Sequence, residues 1–159
     1  MQAETAGEGA GVGGPTPGRV GGLRVPVALG LACAVAYSAF LIRGTVVWND
    51  EATYSSVAYQ LAVHGKLRET YMAGLPGGEA FYFHNTPLYP ILQAGVYRMF
   101  GVGILQTRMF SAILGALSVA LLYSLAARWL GSRTQALCAA LFLACNVLFI
   151  WASRSGQPG

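Results

Sequence analysis

Charged side chains are scarce in this chain. Only 10% of its 159 residues are Asp, Glu, Lys or Arg, against about 25% in ordinary soluble domains. A soluble fold built from it would have a poorly hydrated surface, and with 55% hydrophobic residues the composition points to a membrane protein. The ten Lys and Arg are scattered singly for a net charge of +4, and no basic tract marks a nucleic-acid groove. Cys33, Cys138 and Cys145 sit in apolar stretches with no CxxC pair and no ligand spacing. They are expected to be small buried hydrophobes, not a disulfide framework or a zinc site.

Large apolar side chains are nearly missing from residues 1–22, a Gly-rich stretch with two prolines. Nothing there offsets the entropy of ordering, so a disordered tail is expected. Beyond it, Val25 to Ile42 runs eighteen residues without a charge. Extended through Thr45–Trp48, residues 25–48 suffice to cross a hydrocarbon core of about 30 Å, with Arg43 near the far end where it can snorkel. Arg19 and Arg24 ahead of the run, and the small residues of "ACAVAYS", also fit a cleaved signal peptide. The apolar run continues well past those small residues, so an uncleaved anchor is the reading adopted.

Two further spans are expected at residues 109–127, between Arg108 and Arg128, and 134–153, between Arg133 and Arg154. Each offers about twenty uncharged residues. Ala112, Ala116, Ala120 and Ser124 form a small-residue stripe on the first of these, which lets another helix approach closely. The segment from Pro87 to Phe100 is only fourteen residues long. Its large apolar positions, Leu88, Ile91, Leu92, Val96, Met99 and Phe100, recur at helical spacing, while Gln93 and Arg98 fall elsewhere. Asn85 or Thr86 can cap it, Pro87 suits its first turn and Gly101 its end. This predicts an amphipathic helix lying in the membrane interface.

With three spans, Arg19 and Arg24 share one side with Arg128 and Arg133. The positive-inside rule puts that side in the cytoplasm and places the loop 49–107 outside. The expected fold class is therefore an all-α membrane protein of three transmembrane helices, with two amphipathic interfacial helices in the outer loop.

The adjacent carboxylates Asp50 and Glu51, among only six acids in the chain, stand at the outer mouth of the first span. Asn49 or Asp50 can cap a helix running to His64 and ended by Gly65, so an acidic first turn satisfying a helix dipole is one reading. A functional acidic pair is the other. His84 precedes the interfacial helix among aromatic residues, and the outer loop's remaining metal-capable groups are His64, Glu69 and Glu79. Arg154, also outside, can meet an anionic group near the same mouth.

The layout of a first span, then "WNDEATYSSVAYQLAVHGKL", then "YFHNTPLYPILQAGVYRMFG", resembles the membrane-embedded type C glycosyltransferases. Closest in pattern are the aminoarabinose lipid A transferases and the protein O-mannosyltransferases. "RMFSAILGALSVALLYSLAARWLG" and "FIWASRSGQP" are similar to the next two spans and second outer loop. The likeness covers residues 25–158 and is weakest over 103–108.

That resemblance implies a polyprenyl-phosphate-linked sugar as donor, a lipid, glycan or protein acceptor on the non-cytoplasmic face, and a plasma (inner) membrane location with the N-terminus cytoplasmic. It implies inverting chemistry with Asp50 as the catalytic carboxylate, and Glu51, His84 and Arg154 as substrate-binding residues. The implied cofactor is a divalent metal ion, with Asp50 and His84 as its candidate ligands. Two departures stand out. The aminoarabinose transferases carry Lys directly before the Pro, where this chain has Asn85-Thr86, so phosphate contact falls to Arg154 or Lys66. Relatives also carry an acid just after the second outer loop's R-x-G-x-P, where this chain has Gly159. Because the family continues through many further spans, an N-terminal fragment, inactive alone, is expected. The reading from another class is a small non-enzymatic three-span subunit or assembly factor.

Overall fold

The computed structural model describes residues 23–39, 49–70 and 87–155. These form six helices and no strand: α1 (Arg24–Ser38), α2 (Asn49–His64), α3 (Leu88–Phe100), α4 (Ile104–Leu130), α5 (Arg133–Ala144) and α6 (Val147–Arg154). The expected tail 1–22, the last nine residues of the first span (40–48), Glu79 and His84 lie outside the described residues.

Helix ends follow local chemistry. Pro26 and Pro90 sit in the first turns of α1 and α3, where a missing N–H costs no hydrogen bond. Gly65, Gly101 and Gly131 carry positive φ of 66°, 86° and 63° at the ends of α2, α3 and α4, the conformation in which glycine terminates a helix without strain. Ser132 caps α5 by accepting from the Gln135 N–H, and Asn146 caps α6 by accepting from the Phe149 N–H at 3.0 Å.

α4 is the axis of the molecule, packed by α1, α5 and α6 on one side, with α2 and α3 forming a pair beside it. At 27 residues it is about 40 Å long. It is the one described helix that is by itself long and apolar enough to cross a membrane. It begins at Ile104 instead of Met109, so Arg108 lies inside its second turn.

The span expected at residues 134–153 is not one straight helix. It breaks at Cys145 and Asn146, and α5 and α6 meet at 61°. The cause is the Asn146 side chain, which takes the Phe149 N–H and starts a new helix. The break frees backbone carbonyls of the last turn of α5. One of them, on Ala144, accepts from the Tyr37 hydroxyl at 3.1 Å, and the Tyr37 ring meets Phe149 edge-on. α5 and α6 taken together would make a second membrane-length unit, whereas α1 is apolar but short over its described length.

Small side chains set the spacing around α4, as the Ala stripe predicts. A Cβ on Gly30 of α1 would stand 3.3 Å from the Ala120 Cβ. The tightest approach is one the stripe does not contain: a Cβ on Gly115 would stand 2.7 Å from the Ser153 Cβ of α6, leaving no room for a side chain. The core around these contacts holds Cys33, Tyr37, Ala112, Ala116, Val119 and Tyr123. Cys33 is buried as expected, but Cys138 and Cys145 are exposed, because α5 turns only Ala136 and Ala140 inward.

Polarity is inverted relative to a soluble protein. Gln93, Glu51 and Arg108 are among the most completely buried side chains, while Trp129 is 82% exposed, Phe142 79% and Met99 76%. α3 shows it most plainly. Its outer face carries Leu88, Ile91, Leu92, Met99 and Phe100, and its inner face Tyr89, Gln93, Ala94 and Tyr97. In water this would be a costly arrangement; against lipid it satisfies both faces.

Candidate functional site

The adjacent acids of α2 have different surroundings. Consecutive residues on a helix diverge by about 100°, so two neighbours can meet quite different surroundings. Asp50 is exposed. Glu51 is 1% exposed and faces Arg108 of α4, itself 2% exposed. The Arg108 Nε donates to Glu51 Oε1 at 2.8 Å, and its Nη2 to Oε2 at 3.0 Å. This two-pronged contact is the strongest geometry available to an Arg–carboxylate pair.

A polar network lies beside the pair. Gln93 of α3 donates through Nε2 to the Tyr97 hydroxyl at 2.9 Å and to Thr107 Oγ1 at 3.0 Å, with Ser55 of α2 at 3.4 Å. Tyr97 and Thr107 also bond to each other, and Thr107 donates back to the Gly103 carbonyl. The Gln93 Oε1 is buried without a partner. A cleft of about 220 Å³ opens here, its walls including Glu51, Ser55, Tyr97 and Thr107.

Nearby, Tyr89 shares a hydrogen bond of 2.6 Å with Ser111 and packs against Tyr54 and Phe110. Burial pushes the Tyr89 hydroxyl well above the ordinary tyrosine range, with the Ser111 hydrogen bond pulling the other way. At the far end of α2, Arg98 of α3 donates to the Leu61 and Ala62 carbonyls at 3.0 and 3.2 Å. A cation there satisfies the last turn and complements the helix dipole.

The remaining candidates are dispersed. Arg154, at the end of α6, donates through Nη2 to the Ala39 carbonyl at 2.9 Å, and its buried Nε has no hydrogen-bond partner. His64 closes α2, fourteen residues after Asp50 and so about 21 Å away along the helix. Glu69 is buried with its Oε1 unpartnered, in a strand of coil that returns to Gln60 through Arg68 and Thr70. His84 lies outside the described residues. Among the described residues no three His, Cys, Asp or Glu come together, and both Glu51 oxygens already hold Arg108.

Arg108 and Gln93 are the members of this site that the sequence reading passed over. Arg108 stands where a charge flanking an apolar span ordinarily snorkels. The one signal available for Gln93 was its position four residues before Tyr97, which puts two polar groups on the same side of an otherwise apolar helix.

Comparison with known proteins bears on this arrangement. Residues 84–158 match the dolichyl-phosphate-mannose-protein mannosyltransferase family. This supports the resemblance to the membrane glycosyltransferase superfamily; the match covers α3 to α6 and begins after Asp50 and Glu51. An uncharacterized protein of Aquifex aeolicus (strain VF5) is 32% identical over 113 residues, covering 70% of this chain and 22% of that protein. The aligned stretch thus accounts for under a quarter of that relative's length. No solved structure matches.

Proposed function

We propose that this chain carries the first catalytic loop of a membrane-embedded glycosyltransferase, which moves a sugar from a polyprenyl-phosphate carrier to an acceptor hydroxyl on the non-cytoplasmic face. The observation that carries the reading is the division between Asp50 and Glu51. Glu51 is taken up by Arg108 inside the protein, and Asp50 stands free at the surface in the first turn of α2. A carboxylate that is exposed and carried on a helix is suited to act as a general base.

In the proposed step Asp50 accepts the proton of the acceptor hydroxyl as its oxygen bonds to the anomeric carbon. The bond from that carbon to the phosphate oxygen breaks, and the carrier leaves as polyprenyl phosphate. The charge on that leaving group needs a cation nearby. Arg154 suits this role, since one of its buried N–H donors has no hydrogen-bond partner. A metal reading rests on Asp50 and His84 together, and chelation tests it.

The membrane placement that goes with this reading has the segment begun by α1, then α4, then the bent α5–α6 unit as three spans. The turn at Arg128 and Arg133 is cytoplasmic and α2–α3 lie outside, α3 along the surface.

Asp50→Asn separates catalysis from capping, because Asn and Asp cap helices about equally well. In the full-length protein a general base predicts a loss of about 10²–10⁴-fold in sugar transfer with normal membrane insertion. Transfer within a few-fold of wild type would end the assignment.

A further inference from the structure

We infer that Arg108 is a positioning residue, which through Glu51 fixes where the Asp50 carboxylate stands; this rests on Asp50 being the general base. Stability alone is a poor account of the pair. Burying two charges costs about as much as their attraction returns, and apolar residues of similar size commonly do as well or better. What two parallel hydrogen bonds add over an apolar contact is orientation.

Orientation matters at this point of the chain. Asp50 makes no side-chain hydrogen bond among the described residues, so the first turn of α2 alone sets its position. α2 packs chiefly against α3, and Tyr54 and Val57 share an apolar cluster with Phe110 and Leu114 of α4. Its far end is held by Arg98 and its middle by the Ser55–Gln93 contact. The Glu51–Arg108 pair holds the near end. It ties the residue next to Asp50 to α4, the one described helix that is by itself long and apolar enough to cross a membrane. Loosening the tie would remove the polar anchor of the first turn and let the base shift, with Tyr54 still packed on Tyr89 one turn further on. A displacement of about 1 Å in a reacting group can cost on the order of 100-fold in rate.

The test is a double-mutant cycle in the full-length protein, reconstituted in proteoliposomes and assayed for transfer from a polyprenyl-phosphate sugar. Glu51→Gln and Arg108→Gln are each expected to lower kcat by about 100-fold and to leave KM for the lipid donor within threefold. The double variant is expected to be no worse than the poorer single one. Arg108→Lys keeps the charge but not the fork. It is expected to insert normally, unfold within a few degrees of wild type, and lose about tenfold in kcat, which also covers the case in which the Gln variants fail to fold. Losses that multiply in the double variant, a defect confined to donor KM, or wild-type kcat in Arg108→Lys each overturn the proposal. Asp50→Asn measured alongside keeps the two readings apart. If it is inactive while Arg108→Lys is normal, positioning alone fails; if it is active, the base assignment fails and positioning falls with it.

Discussion

The Tyr37 hydroxyl of α1 donates to the Ala144 carbonyl at 3.1 Å, across 107 residues of sequence, at the point where α5 stops and α6 has not begun. A bend inside an apolar segment leaves carbonyls that lipid cannot satisfy, and here a side chain from a neighbouring helix answers one of them.

Tyr37→Phe tests how much the bend depends on this bond. The ring contact with Phe149 is retained and only the hydroxyl is removed. Leaving a buried carbonyl unsatisfied costs about 1–3 kcal/mol, so the variant should unfold at a lower temperature in detergent. Spin labels on α5 and α6 should report a broader distribution of inter-helix distances than in wild type. Unchanged stability and an unchanged distribution would mean that the bend is held by Asn146 alone.

Gly115 and Ser153 should behave as a lock and its complement. Gly115→Ala puts a methyl group 2.7 Å from the Ser153 Cβ, and overpacking of this kind costs about 1–3 kcal/mol. Ser153→Gly removes the obstructing atoms, so the double variant should recover most of the loss. Thermal unfolding of the four proteins measures it, and equal losses in Gly115→Ala and the double variant would contradict the packing described.

Membrane placement makes a third prediction. Spin labels at Leu88, Ile91, Leu92 and Met99 should sit deeper in the bilayer than labels at Gly95 and Arg98, with a period of about 3.6 residues and no steady trend along α3. In a background without native cysteines, Ser132→Cys should be modified only from the face opposite to α3. Progressive deepening from Leu88 to Phe100, or labelling of position 132 from the α3 side, would refute the placement.

Much of this architecture was legible because single residues dictate it. Gly65, Gly101 and Gly131 end helices where the backbone needs positive φ, and Pro87 marks the start of α3. The break at Cys145–Asn146 was not legible. Apolar composition runs straight through it, and Asn146 is the only local sign. A bend comes from where hydrogen bonds go, which hydropathy does not record. Arg108 was hidden for a related reason. A charge beside an apolar run reads the same whether it snorkels or pairs, and its partner lies 57 residues away. Asp50 and Glu51 could be singled out as a pair, but which of them faces inward depends on where α4 passes.

The Glu51–Arg108 pair also imposes an order on biosynthesis. Glu51 leaves the ribosome 57 residues ahead of its partner, which at about 5–20 residues per second is a delay of roughly 3–11 s. Through that interval its carboxylate lacks the guanidinium it pairs with in the fold, so α2 cannot settle as soon as it is made. Docking waits until α4 has been made. An insertion machinery that released the loop early would meet an α2 still turned toward water.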